Sequence, residues 1–194
     1  WHDDAQLPKS DLVVLPGGFS YGDYLRCGSM ASKSKIMQSV INFANSGGMV
    51  MGICNGFQIL VETGLVPGVL LRNKYLEFIC KNVFVKINNK TNNYFNKIKN
   101  EVLEFHIAHN EGNYFCTKDQ LKEIEDNEQV AINYCDQNGK IEKQFNPNGS
   151  IKNIAGIFNK EKNVLGMMPH PERMIDNCLS GEDGSIFFNS LINN

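Results

Sequence analysis

The chain of 194 residues is 42% hydrophobic and 21% charged, with a formal net charge of −2, the profile of a soluble globular protein with enough chain for a sizeable core. Its mild acidity and lack of a Lys/Arg run speak against a nucleic-acid partner, and no apolar run approaches the ~20 residues of a membrane span. Its six cysteines include no C-x-x-C pair, so they read as reduced thiols of a cytoplasmic protein rather than a disulfide framework.

Residues 11–16, Asp-Leu-Val-Val-Leu-Pro, are a short apolar run stopped by Pro16 and two glycines, the pattern of a buried parallel strand. Ile36, Val40, Ile41, Phe43 and Ala44 give residues 35–44 a helical period, with Gly47 and Gly48 as the stop. Residues 49–53 read as a second buried strand and residues 55–63 as the helix leaving it, closed by Gly64. This alternation predicts an α/β sheet with helices on both faces. Residues 82–87 and 102–107 alternate like strands, separated by an Asn-rich connection over 88–100 whose composition looks like drift as much as design. Residues 117–126 carry a cap and a charged face, predicting a surface helix. Further strands are predicted over 129–134, 151–158 and 163–168, with 136–149 as a loop or long hairpin tip. A last helix over 184–192 is expected to pack Ile186, Phe187, Leu191 and Ile192. Neither a repeat nor a linker divides residues 1–194, so one domain is expected.

The strongest chemical signal is Gly52-Ile-Cys54-Asn-Gly56, placed between a strand and a helix. This is a nucleophile-elbow layout with cysteine in place of serine, tight enough that the neighbours two positions away must be small. It lifts Cys54 above the carboxyl end of the sheet and sets the sulfur at a helix N-terminus, which is expected to lower the thiol pKa. The Asn55 N–H would point at an oxyanion formed there. The competing reading is a buried cysteine in a Gly-rich turn. His170-Pro-Glu172 follows a predicted strand and offers a base with a carboxylate to orient it. Gly17-Gly18, in the loop over 15–23, lets backbone amides approach a ligand closely. A phosphate-cradling loop is the alternative, but neither G-x-x-x-x-G-K-[ST] nor G-x-G-x-x-G occurs.

Residues 16–28, Gly52-Ile-Cys-Asn-Gly-Phe-Gln58, Leu71-Arg-Asn73 and Gly166-Met-Met-Pro-His-Pro-Glu-Arg173 closely resemble the glutamine amidotransferase subunits of phosphoribosylformylglycinamidine synthases. Those belong to the class I, or triad, glutamine amidotransferases. The resemblance covers essentially the whole chain in order. It implies a flavodoxin-like open sheet whose first strand, a helix and most of a second strand would precede Trp1, so that the sheet lacks its N-terminal portion. It implies Cys54 as nucleophile, His170 as base and Glu172 as its orienter. Amides at Gly18 and Asn55 would form the oxyanion hole, and Gln58, His109 and Glu111 would line the glutamine site. Related sequences have glycine where Asn110 stands, which leaves the role of Asn110 open. Taken alone, His106, His109 and Glu111 could suggest a metal site, but strand alternation puts the two histidines on opposite faces, and no metal is expected.

Tyr21, Asp23 and Arg26 could hold glutamine, face a partner or shape the loop. Cys27, Cys80, Cys116, Cys135 and Cys178 have no comparable context and are read as inert. The implied activity is glutamine hydrolysis, with ammonia passed to a synthetase subunit, and a small companion subunit is expected in the same complex. This chain itself needs no cofactor, since ATP and Mg would belong to the synthetase. A stand-alone cysteine hydrolase is the first rival, against which Gln58 and the residues 19–23 loop count. A non-catalytic binding module is the second, favoured by the missing start.

Overall fold

The computed structural model describes residues 2–179 and 181–192. The first half follows the predicted alternation: β1 (Leu12–Leu15), α1 (Lys35–Asn45), β2 (Met49–Ile53) and α2 (Asn55–Glu62). Then come β3 (Val69–Leu71), β4 (Ile79–Ile87), β5 (Val102–His109), β6 (Asn113–Phe115), α3 (Lys118–Asp126), β7 (Val130–Cys135), β8 (Ile154–Phe158), β9 (Val164–Met167) and α4 (Asp183–Ile192). The seven-stranded sheet has the order β1-β2-β9-β8-β7-β4-β5. Strands β1, β2 and β9 are parallel, and the remaining pairs are antiparallel. β3 and β6, absent from the sequence reading, form a separate two-stranded antiparallel ribbon.

Helices cover both faces, and one glycine shows how. Phe57 of α2 packs onto Gly166 of β9, where any Cβ would collide with its ring. Phe158 pairs with Leu165, one pleat away from Gly166, and therefore faces the other way. There it meets Tyr94 and Phe95, and Phe95 in turn meets Phe187 of α4. These clustered aromatic rings are all buried.

The Asn-rich connection is therefore not mere drift. Tyr94, Phe95 and Ile98 are buried, and the Tyr94 hydroxyl lies 2.8 and 2.7 Å from the carbonyl oxygens of Val50 and Asn163. It holds the N-terminal ends of β2 and β9 with one group.

Two expectations shift in detail. Residues 151–153, expected as strand, form a 3₁₀ turn with Lys152 and Asn153 at φ of 51° and 58°; Asn153 supports it by donating to the Tyr134 and Glu142 carbonyls. In α4, Phe187 is buried, but Ile186 and Ile192 are 38% and 76% exposed and do not pack as expected. The cap on α3 is a full capping box between Thr117 and Gln120. Among the described residues, no helix is long and apolar enough to cross a membrane.

Candidate active site

Cys54 links β2 to α2 with φ 51° and ψ −104°, a conformation disfavoured for any residue with a side chain. The flanking glycines show what makes this possible. A Cβ on Gly52 would come within 2.6 Å of the Gly56 backbone, and one on Gly56 would run into the Leu15 carbonyl oxygen. Only hydrogen fits at either place, as the elbow pattern demands. The strained turn is tied down where the Cys54 N–H donates to Met167 O at 2.8 Å, the last residue of β9.

His170 follows that same strand three residues later. It is only 3% exposed, and its N–H donates to the His106 carbonyl at 2.7 Å. Its Nδ1 lies 2.5 Å from Glu172 Oε1, so the carboxylate fixes Nδ1 as the protonated nitrogen. Nε2 is left buried with no hydrogen-bond partner. Gly17 stands against both candidates: a Cβ there would lie 2.7 Å from His170 Cε1 and 3.6 Å from Cys54 Cβ. Cys54 and His170 thus pack on one glycine, and Glu172 is bonded to the His170 Nδ1. Cys54 Sγ is turned toward Ala108 O at 3.8 Å.

The expected lowering of the thiol pKa is not found. Burial pushes the Cys54 thiol up to about 12, the Asn55 N–H and Arg173 pull it down, and the Glu172 charge raises it further. The helix N-terminus acts in the expected direction but loses to desolvation. On Glu172 the balance is reversed. Burial raises its carboxyl, but the His170 hydrogen bond and charge outweigh that and hold it below the usual carboxylate value.

A cavity of about 250 Å³ opens here, lined by Gly18, Cys54, Gln58, His109, Glu111 and His170 among others. A wider depression of about 640 Å³ beside residues 88–91 holds neither cysteine nor histidine and offers no comparable chemistry. Gly18, at φ 146°, has open space around its Cα, so its backbone borders the cavity with nothing in front of it. Gln58 lines the wall, and both ends of its amide are engaged. Its Oε1 accepts from Asn55 Nδ2 at 2.8 Å and its Nε2 donates to Glu111 O at 2.8 Å. Asn55 Oδ1 in turn accepts from the Ser20 N–H at 3.2 Å. One chain of amides therefore joins the Gly-rich loop to the segment that carries Glu111.

His109 is set by a residue to which sequence reasoning gave no role. Asn73 Nδ2 donates to the carbonyls of Glu77 and His109, so its Oδ1 is the acceptor for Gly112 N–H and for His109 Nδ1 at 3.0 Å. His109 Nε2 is then a bare lone pair, buried and without a partner. Burial, helped by His170, lowers the His109 pKa to about 4 and keeps the ring neutral. His106 and His109 do fall on opposite faces of β5. Glu111 Oε1 lies 3.7 Å from Arg72 Nε. Arg26 turns away to clasp Glu62 of α2 with two contacts of 2.5 and 2.6 Å, whereas Asp23 lines the cavity. Burial raises the Asp23 carboxyl, and its Oδ1 has no partner.

Two cysteines read as lacking context have one after all. Cys27 and Cys80 both line the cavity of Cys54. Burial drives the Cys27 thiol far upward, so it stays protonated. Cys80 is exposed. Only the folded register brings it to this wall, because β4 reaches back to Ile79, three residues before the predicted start at 82.

Residues 1–181 match the family described as the CobB/CobQ-like glutamine amidotransferase domain. The chain is 78% identical over its whole length to the phosphoribosylformylglycinamidine synthase subunit PurQ of Pelagibacter ubique, covering 86% of that protein. It is 47% identical to the PurQ subunit of Aquifex aeolicus, with 98% of this chain and 84% of the relative aligned. The PurLQS structure from Thermotoga maritima superposes with a TM-score of 0.85 at 40% identity, covering 98% of this chain and 82% of that one. By family model, relatives and solved structure alike, the chain belongs to the phosphoribosylformylglycinamidine synthase PurQ group of the CobB/CobQ-like glutamine amidotransferase domain family.

Proposed function

We propose that the chain hydrolyses glutamine to glutamate and ammonia through Cys54, His170 and Glu172, and delivers the ammonia to a synthetase subunit that converts formylglycinamide ribonucleotide to its amidine. The observation that carries this reading is His170, clamped by Glu172 on one nitrogen, bare on the other, and pressed against the same glycine as Cys54. Because burial holds the resting thiol protonated, Cys54 Sγ gives its proton to His170 Nε2 as it attacks the carboxamide carbon. The N–H groups of Asn55 and Gly18 hold the resulting oxyanion. His170 returns the proton to the leaving nitrogen, ammonia departs, and a glutamyl thioester remains. Water, deprotonated by His170, then releases glutamate. Glu172 stays ionised throughout and balances the imidazolium. His109, whose free nitrogen can only accept, and the Glu111 carboxylate would receive the donor groups of the substrate, while Gln58 holds the Glu111 backbone.

ATP and Mg are assigned to the synthetase, since this chain has no phosphate-cradling motif. The Thermotoga assembly named PurLQS supports a complex with such a subunit and a small companion, and we assign that complex to the cytoplasm. Glutamate release measured with and without the synthetase and its nucleotides tests the reading. The expected result is a low rate alone that rises at least tenfold on assembly, because one oxyanion donor brought into line is worth roughly 3 kcal/mol. Equal rates would reject activation by the partner, and no release in either state would reject the activity itself.

A further inference from the structure

A second thiol in the cavity wall also meets an imidazole. Cys80 and Asn82 lie two apart on β4 and share a face of the sheet, and His106 of β5 stands opposite Asn82 in the antiparallel register. Cys80 Sγ is 3.4 Å from His106 Nε2, and His106 Nδ1 is 3.0 Å from Asn82 Oδ1. The amide oxygen can only accept, so Nδ1 carries the proton and Nε2 turns its lone pair to the thiol. Burial first, then the charge of nearby Arg173, lowers the His106 pKa, so the ring is neutral at neutral pH and keeps that lone pair. Thiol, base and orienter stand in the order that activates a nucleophile. Unlike Cys54, which is buried, Cys80 is exposed while lining the same cavity, which places it at the mouth.

We propose that Cys80, His106 and Asn82 form a covalent modification site at the mouth of the Cys54 cavity, where the thiol exchanges with low-molecular-weight disulfides. Cys80 passes its proton to His106 Nε2, and the thiolate attacks one sulfur of R–S–S–R. The S–S bond of the reagent breaks, a Cys80–S–S–R bond forms, and the departing R–S⁻ takes the proton from His106 as RSH. The other thiols compete poorly. Burial pushes up those of Cys27, Cys54, Cys116 and Cys135, and Cys178, the other exposed one, provides the comparison. The attached group stands in the mouth and stops glutamine from entering. That consequence rests on the function proposed above, whereas the reactivity of Cys80 does not.

The test incubates the full chain with glutathione disulfide at neutral pH and follows each cysteine by peptide mass spectrometry. Cys80 should be modified at least tenfold faster than Cys178. His106→Gln should slow Cys80 at least tenfold, and Asn82→Ala should slow it less, with the Cys178 rate unchanged in both. Equal rates at Cys80 and Cys178, or a Cys80 rate indifferent to both variants, overturns the site. Glutamate release should fall in step with the Cys80 adduct and return with dithiothreitol, and Cys80→Ser should be insensitive relative to its own untreated rate. Full occupancy with unchanged glutamate release overturns the closure. A chain that releases no glutamate at all would count against the proposed function, and the mass readout would still decide the site.

Discussion

Cys54 and Cys80 line the same cavity, each near an imidazole held by a third group, yet their surroundings differ in kind. Cys54 is buried on a strained elbow, and a carboxylate orients its proposed base. Cys80 is exposed on a regular strand, and a neutral amide orients its base. Burial keeps the first thiol protonated, and in the proposed mechanism Glu172 supplies the negative charge that stabilises an imidazolium formed when the substrate carbonyl is attacked. The second pair has no such charge and no strain, but solvent-borne reagents can reach it. A cysteine beside an oriented imidazole is therefore common to both, and the proposed division between turnover and modification rests on burial and on the charge of the orienter.

The comparison can be broken most decisively at the sealed pair. Cys54→Ala should reduce glutamate release by on the order of a thousandfold or more, while Cys178→Ala leaves it near the parent rate; near-normal turnover in Cys54→Ala would end the mechanism. His170→Ala should cost nearly as much, and Glu172→Gln clearly less, because Glu172 orients and balances a proton it never carries. Equal losses in steady-state kinetics would make Glu172 a structural residue.

Sealing should also carry a cost in acid. His109 titrates near 4 in the fold against 6.5 ordinarily, so the unfolded chain takes up its proton first as pH falls. Stability is then full above pH 6.5 and declines toward pH 4, by up to roughly 3 kcal/mol. Urea titrations stepped across that window should show a flatter slope in His109→Gln, and an unchanged slope would mean that His109 does not govern it. The smallest effect should come from giving the open pair a charged orienter. Asn82→Asp should favour the His106 imidazolium and its thiolate, raising the glutathione disulfide reaction at Cys80 by roughly fivefold. A slower reaction would show that the amide does more than orient.

The elbow, the His170–Glu172 pair and the strands that bear them were legible in the sequence because their chemistry depends on local spacing. Gly52 and Gly56 flank Cys54 by two positions, and a helix or strand period declares itself within ten residues. What escaped notice depends on pairs distant in the chain. Cys80 and His106 meet only through the β4–β5 register, and Asn73 reaches His109 across 36 positions. The Ser20–Asn55–Gln58–Glu111 chain likewise spans separate segments. The Cys54 thiol was misjudged for the same reason. The helix end that pulls its pKa down is visible in sequence, while the burial that pushes it up belongs to the assembled fold.

Tyr94 has a mechanical consequence. β2 and β9 run parallel in register, Val50 beside Val164 and Ile53 beside Met167, with Cys54 next after one and His170 three residues past the other. At their opposite ends a single phenol spans both carbonyls. The two strands therefore act as a jig, zeroed on one oxygen atom and graduated at about 3.3 Å per residue. The heights at which sulfur and imidazole emerge are gauged from the far side of the sheet, by a residue that contacts neither. The tract around Tyr94 is thereby tied to a site it never touches, through that datum point and the buried ring of Phe95 beside it.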